Sequence, residues 1–424
     1  MNADGRHVVV VDLGYGDAGK GTVVDRLCAD GPVASVVRFN GGAQAAHNVV
    51  TPDGRHHTFA QFGSGTLHGV PTHLSRFVVV DPLALAAEAE QLNAIGVPDP
   101  FELLTVDAEA PLCTPWHVAA NRLRELGRGA SRHGSCGMGV GETTAYALRH
   151  ADAPRAGDTL APARLRARLA AVRDRLTDEL GDLGGPSVDE VVSVFRTFGA
   201  IVSVVDGPAT RRRLLGSGRC VFEGAQGVLL DEWFGWHPYT TWSTTTFENA
   251  ETLLAEAGHG ARRLGVVRTY TTRHGVGPLV TEDPALTAAL PDRHNGNGPW
   301  QGPFRVGHFD AVAHRYAVEV VGGVDALAVT HLDAPGRAPE LAVCSAYLVD
   351  GARLDRLAPG QRGDLAYQER LTALLGRARP ARLDRPARWA ATIGALLAAP
   401  VLMESYGPST ADKRIWGRTL ASAA

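Results

Sequence analysis

Val8-Val9-Val10-Val11-Asp12-Leu13-Gly14-Tyr15-Gly16-Asp17-Ala18-Gly19-Lys20-Gly21-Thr22 decides the fold class of this chain. The unbroken valine run predicts a parallel strand buried on both faces. A glycine-rich turn follows, and then a helical stretch from Lys20 to about Ala29. Gly14, Gly16 and Gly19 satisfy GxGxxG, the dinucleotide fingerprint. That fingerprint also calls for an acid about 20 positions on, after the second strand. Here the second strand ends in Arg38-Phe39-Asn40, which weakens a nicotinamide-dehydrogenase reading. The phosphate-loop pattern GxxxxGK[ST] fits Gly14 to Lys20, except that Gly21 stands for the hydroxyl residue and Thr22 comes one place late. Both templates share their physics. Glycines let backbone N–H groups approach a phosphate, and the helix N-terminus favours an anion. Lys20 adds a compact cation. Asp17 is the odd member: beside phosphates a carboxylate repels unless it binds a metal or takes a proton. It could otherwise be an acidic helix cap.

Outward from this stretch, strand-like runs recur at Val36-Val37, Phe77 to Val80, Leu103 to Val106, Ile201 to Val205, Cys220 to Phe222, Leu264 to Val267, Ala326 to Val329 and Pro400 to Met403. Helical periodicity fills the intervals, as at Leu83 to Leu92, Pro162 to Leu180 and Ala311 to Val321. This alternation predicts an α/β protein with a large, mostly parallel central sheet flanked by helices. Residues 1–424 are expected to form one large domain with helical and small subdomain insertions. The Gly- and Pro-rich segment Pro291 to His308 has little to bury. It reads either as a mobile substrate loop that orders on binding or as a plain surface insertion.

Composition narrows the function. A net charge of −3 argues against nucleic-acid binding, which needs a large basic patch. The five cysteines include no CxxC pair, so neither a disulfide framework nor a thiolate zinc site is indicated. No 18-residue apolar run is present, and Met1 to Arg6 lacks the pattern of a signal peptide. A cytoplasmic enzyme with no membrane partner is expected. Of 42 basic residues, only Lys20 and Lys413 are lysine. High-GC coding bias explains the arginine excess. A lysine that persists against that bias points to a role arginine cannot fill.

A second element is Phe39-Asn40-Gly41-Gly42-Ala43-Gln44-Ala45-Ala46-His47-Asn48. A Gly-Gly turn and small residues bring the His47 imidazole near any ligand, where it could act as an acid or stabilise charge. With both elements in place, the chain resembles the adenylosuccinate synthetase family. Asp12 to Thr22 is similar to the family's GxxWGDEGKGK, and Gly41 to Asn48 to its GGHNAGHT. Phe222-Glu223-Gly224-Ala225-Gln226-Gly227-Val228-Leu229-Leu230-Asp231 resembles FEGAQGxLLD. Pro238 to Thr246 is similar to PYVTSSNTT, and Thr269 to Glu282 to AYxTRVGxGPFPTE. Thr330-His331-Leu332-Asp333 resembles TKLD, and Ser405-Tyr406-Gly407-Pro408 resembles STGP.

The resemblance implies a GTP- and Mg²⁺-dependent ligase that phosphorylates the 6-oxo group of IMP and then joins aspartate to it. Carried over by motif, Asp17 is the base and, with Ala46, a magnesium ligand. His47 stabilises the transferring phosphate, Lys20 holds phosphate, and Gln226 faces the nucleotide ring. Gly16, Gly19, Lys20, Gly21, Thr22, His331, Asp333, Ser405, Gly407 and Pro408 are expected at GTP. Gln44, Ser135, Cys136, Gln226, Thr241 and Arg149 are expected at the nucleotide substrate, and Arg305 at the amino acid. A homodimer is implied, with Arg149 or Arg155 as the arginine reaching a neighbouring subunit.

Departures fall on the substrate side. In the family's GTTGRGIGP, Cys136 replaces a phosphate-binding threonine and Met138 an arginine. Gln44 and Ala43 replace Asn and His. The family's ATTGRRRRTGWLD loop becomes Gly298 to Asp310, which keeps a single arginine, Arg305. Two carboxylates call for more than one guanidinium fork. Two further readings therefore stand beside aspartate–IMP ligation. One is a relative in specialised metabolism using another acceptor or amine. The other is a non-catalytic guanine-nucleotide-binding protein, against which the joint retention of Asp17, Lys20 and His47 argues.

Overall fold

The structure, a computed structural model, describes residues 6–292, 295, 298 and 300–416. Residues 1–5 of the N-terminal segment and residues 293, 294, 296, 297 and 299 of the glycine-rich segment lie outside the described residues.

Among the described residues the main sheet has ten strands. In spatial order they are Lys413–Ile415, Val401–Ser405, Ala326–Thr330, Ala261–Arg268, His7–Asp12 (β1), Cys220–Glu223, Ser35–Arg38 (β2), Thr72–Leu74, Leu104–Asp107 and Ser203–Val205. Neighbours run parallel throughout, except that Lys413–Ile415 is antiparallel to Val401–Ser405. The valine run explains why β1 lies in the middle. Val8 and Val10 enter one core with Val23, Val24 and Leu27 of the helix Lys20–Ala29 (α1). Val9 and Val11 enter the opposite core with Phe309, Val312 and Tyr316. Side chains alternate across a strand, so four valines feed two cores. Each buried valine contributes roughly 1.5–3 kcal/mol.

A second sheet follows the chain reversal after Arg268. Strand Tyr270–His274 runs antiparallel to Phe304–Asp310, which pairs in parallel with Val343–Val349. Ala352–Leu354 and Arg379–Asp384 flank that last strand.

Two expectations change. Phe77 to Val80 is not a strand; the sheet position belongs to Thr72–Leu74. Val78 and Val80 are buried all the same. However, the Val79 N–H bonds the Gly41 carbonyl, and Asp81 caps the helix Pro82–Ala94 at once. Burial and apolar character alone do not separate a strand from such a crossing segment. The glycine-rich segment also ends sooner than expected, because Phe304 to His308 belong to the strand Phe304–Asp310.

Parallel strands place all their carboxyl ends along one edge, where ligands of open α/β sheets bind. β1 delivers the glycine loop there and β2 delivers Phe39 to His47. Cys220–Glu223 delivers Gly224 to Gly227, Ala326–Thr330 delivers His331 and Asp333, and Val401–Ser405 delivers Gly407 and Pro408.

Candidate active site

β1 ends on Asp12, whose carboxylate is buried and organises the loop that follows. Its Oδ1 accepts from the Gly14 N–H (2.8 Å) and its Oδ2 from the Ala18 N–H (2.8 Å). Lys20 Nζ lies 3.2 Å from the same Oδ2, so the ammonium is held at the loop's inner wall. Gly16 and Gly19 have φ of 92° and 94°, a region open to glycine without strain. The N-cap of α1 is Gly19, with no side-chain cap. Asp17 is therefore not the helix cap.

The departure at Gly21 has a steric cause. A Cβ there would sit 2.7 Å from the His47 Cβ. The phosphate loop and the His47 segment pack too closely for a Ser/Thr side chain. Substituting Gly21→Ser is therefore expected to destabilise the protein by about 1–3 kcal/mol through overpacking. Urea unfolding checks this, and unchanged stability would contradict the steric account. Gly227 shows the same closeness, since a Cβ there would lie 2.3 Å from the Gly14 carbonyl oxygen. The Gln226 segment thus lies directly on the glycine loop.

Three side chains converge on this ground. Asp17, at φ 57°, pairs with His274 (Nε2 to Oδ2, 3.2 Å). Burial pulls the Asp17 carboxyl upward, but the His274 hydrogen bond and the charges of His274, Arg268 and Lys20 outweigh it and hold it below the usual range. His274 moves the other way: burial lowers it, and Asp17 raises it further than that. His47 Nδ1 lies 2.6 Å from Glu223 Oε1. Glu223 also accepts from the Ser64 N–H (2.9 Å) and Oγ (2.5 Å). Burial would raise the Glu223 carboxyl, yet Arg38, His47 and Ser64 bring it down to about 2. Burial pushes His47 below the ordinary imidazole range despite that partner. A neutral imidazole donating Nδ1–H to Glu223 leaves Nε2 for the cavity that His47 lines.

That cavity has a volume of about 1450 Å³, larger than a single-ligand pocket of about 300–1,000 Å³. Its walls include Asp17, Lys20, His47 and Gln226, together with Gly16, Gly19, Gly21 and Thr22 of the glycine loop. His331, Asp333, Ser405, Gly407 and Pro408 line it from the later strands. Gln44, Ala46, Ser135, Cys136, Thr241 and Arg149 line it as well. The Gln226 amide is buried, and among the described residues neither its nitrogen nor its oxygen has a hydrogen-bond partner; the same holds for the Gln44 Oε1. His331 is held well below the ordinary histidine range by burial and by nearby Arg268, Arg337 and Lys413. Asp333 pairs with Arg337 (3.1 Å).

Arg305 is not brought to this cavity. Its Nη1 donates to Glu282 Oε2 (2.6 Å) and its Nη2 to the Gly277 carbonyl (2.8 Å). Arg155 is also elsewhere, paired with Glu109. The exposed Arg149 bonds its own helix at the Ala145 carbonyl. Residue-type reasoning missed three functional partners. Asp12 was legible as the acid closing the first strand, and Glu223 stood inside a quoted motif. His274 carried no signal, because it reaches Asp17 only through the second sheet.

Asp17 and Ala46 both line the cavity. Among the described residues no group of three His, Cys, Asp or Glu could hold a metal. One carboxylate suits Mg²⁺, which commonly takes one or two protein carboxylates and leaves its other positions to phosphates and water.

An ammonium, a carboxylate and an imidazole around a glycine loop, at the carboxyl edge of a parallel sheet, define an enzyme of phosphoryl transfer on nucleotide-sized substrates. Comparison with known proteins narrows the class. Residues 9–376 match the family model for adenylosuccinate synthetase. The adenylosuccinate synthetase of Neisseria gonorrhoeae (strain ATCC 700825 / FA 1090) is 34% identical over 370 residues, covering 84% of each chain. That of Myxococcus xanthus is 35% identical over 383 residues, covering 85% of each. The fold of the fully ligated enzyme from Plasmodium falciparum superposes with a TM-score of 0.83 at 20% identity, over 97% of this chain and 100% of that one. The succinoaminodeoxyadenylate synthetase of cyanophage S-2L, bound to dGMP and dATP as an energy donor, gives a TM-score of 0.62 at 20% identity, over 97% and 95%. The chain belongs to the adenylosuccinate synthetase family and is a GTP-dependent ligase that forms a C–N bond. Among the described residues no helix is long and apolar enough to cross a membrane.

Proposed function

We propose that this ligase phosphorylates the 6-oxo group of IMP, or of an IMP-like carbonyl substrate, and that an amine then displaces the phosphate. The observation that carries this reading is the buried Gln226 amide beside Asp17's loop, which has no partner among the described residues. A buried amide without partners costs about 1–3 kcal/mol in protein. A purine edge, which offers both a donor and an acceptor, would satisfy it. Asp17 takes the proton from the ring nitrogen, so the neighbouring oxygen becomes nucleophilic toward the γ-phosphate. Lys20 neutralises charge on the phosphates, and His47, oriented by Glu223, stabilises the phosphoryl group in flight. Asp17 and the Ala46 carbonyl would hold Mg²⁺, which supplies charge neutralisation at the phosphates. By family the amine is aspartate and the enzyme a cytoplasmic homodimer, with Arg149 as the candidate for crossing to the partner.

A second reading, another amine or acceptor, is favoured by Arg305. The one arginine kept by the loop is taken up by Glu282 and Gly277. The cyanophage relative, with dGMP and dATP, is a precedent for altered nucleotides on this fold. The deciding measurement is phosphate release from GTP, with Mg²⁺ and IMP present, with and without aspartate. Ligation of aspartate predicts release only when it is added. Release with IMP but no gain from aspartate supports the second reading.

A further inference from the structure

Lys413, one of only two lysines, opens the edge strand Lys413–Ile415 and is 4% exposed. Its Nζ donates to the carbonyl oxygens of Gly407 (3.0 Å), Pro408 (2.9 Å) and Ser409 (2.6 Å). Three successive carbonyls turned toward one point suit a compact ammonium with three donors, whereas a planar guanidinium fork cannot match them. The loop they belong to supplies Ser405, Gly407 and Pro408 to the cavity wall. It is fastened on its other side to α1. Thr22 Oγ1 donates to the Pro408 carbonyl (3.3 Å), and Thr410 Oγ1 to Asp25 Oδ2 (2.6 Å). The Asp412 carboxylate closes the turn by accepting the Ser409 N–H (2.8 Å).

We infer that Lys413 is a positioning residue for the nucleoside triphosphate: its ammonium holds the 405–409 loop in the shape that meets GTP, while α1 presents Lys20 to the phosphates. This rests on the family-implied reading that Ser405, Gly407 and Pro408 lie at GTP. Asp25 and Arg26 of α1, Asp412 of the loop's own segment and the His331 imidazole are the charged or titratable groups around the ammonium. Burial, against the two acids, brings Lys413 down to about 8. Above that pH the neutral amine has two donors for three carbonyls, so the loop loosens and nucleotide affinity falls.

The test measures binding of a fluorescent, non-hydrolysable GTP analogue, and steady-state kinetics, for the parent, Lys413→Met and Lys413→Arg. Loss of one charge-assisted anchor predicts that Lys413→Met raises Kd and the KM for GTP about tenfold, with kcat at saturating GTP kept within roughly threefold. The acceptor KM should stay unchanged, and Lys413→Arg, whose planar fork cannot meet the three carbonyls, should lose affinity as Lys413→Met does. The parent's KM for GTP should rise above pH 8, and that of Lys413→Met should stay flat there. Unchanged GTP affinity overturns the inference even if thermal stability falls, and so does a rise confined to the acceptor KM. Should Lys413→Met not fold, a flat parent profile from pH 7 to 9.5 overturns it. Analogue binding needs neither IMP nor aspartate, so failure of the proposed ligation would be seen separately.

Discussion

Asp17→Asn is expected to lower kcat for GTP-dependent phosphate release by about 10²–10⁴-fold, the usual worth of a positioned proton acceptor. The substitution isolates the chemistry. Asp17 stands at φ 57°, a conformation that asparagine tolerates, so the loop should keep its shape. The amide preserves size and loses the charge that His274, Arg268 and Lys20 now hold in its ionised form. Binding of a GTP analogue should survive within about tenfold, since Lys20 and the loop N–H groups remain. Steady-state phosphate release and analogue binding read the two effects separately. Equal turnover in parent and variant would leave Asp17 without a proton role.

The second large effect belongs to Glu223, which never touches the cavity. Glu223→Ala should destabilise the fold by about 3–5 kcal/mol, because it leaves buried Arg38 uncompensated and the Ser64 N–H and His47 Nδ1–H without an acceptor. Glu223→Gln keeps the volume but no longer fixes which imidazole nitrogen carries the proton. A fall in kcat of about 10²-fold is expected, with a smaller loss of stability. The pH dependence follows from the direction of the shift. The folded carboxyl is depressed to about 2 from 4.5, so the folded state binds fewer protons than the unfolded one across that window. The stabilisation is complete above the unfolded value and is lost as pH falls through about 2. Urea unfolding from pH 6 to 2 should show a steeper loss of stability in the parent than in Glu223→Gln, because Asp17 and other depressed carboxyls titrate in both. Identical profiles would show that the Glu223 carboxyl is not held below its ordinary range in the folded protein.

Much of the site was legible because phosphate binding constrains backbone, and backbone constraints leave glycines in the sequence. Gly16, Gly19 and Lys20 could be placed from spacing alone, and α1 begins at the expected residue. The valine run of β1 was equally direct, since four β-branched residues in succession suit a strand buried on both faces. Arg305 misled for a complementary reason. Its charge suggested a carboxylate ligand, but Glu282 and the Gly277 carbonyl, brought near by the antiparallel pairing of Tyr270–His274 with Phe304–Asp310, already take it up. Phe77 to Val80 misled because burial does not specify strand pairing.

Sequence by itself determined the α/β class, the glycine-rich turn between β1 and α1 and the family, since these rest on local patterns of glycine and of buried β-branched residues. Only the tertiary structure decided the partners: Asp12 beneath Lys20, Glu223 behind His47, His274 against Asp17, and Lys413 under the 405–409 loop. The physical reason is the parallel sheet. It gathers strand ends from across the chain onto one edge, and contacts between residues far apart in sequence leave no periodic or spacing signal in it. The missing hydroxyl at Gly21 shows both sides of this division: the sequence displays the departure, and the 2.7 Å approach to His47 explains it.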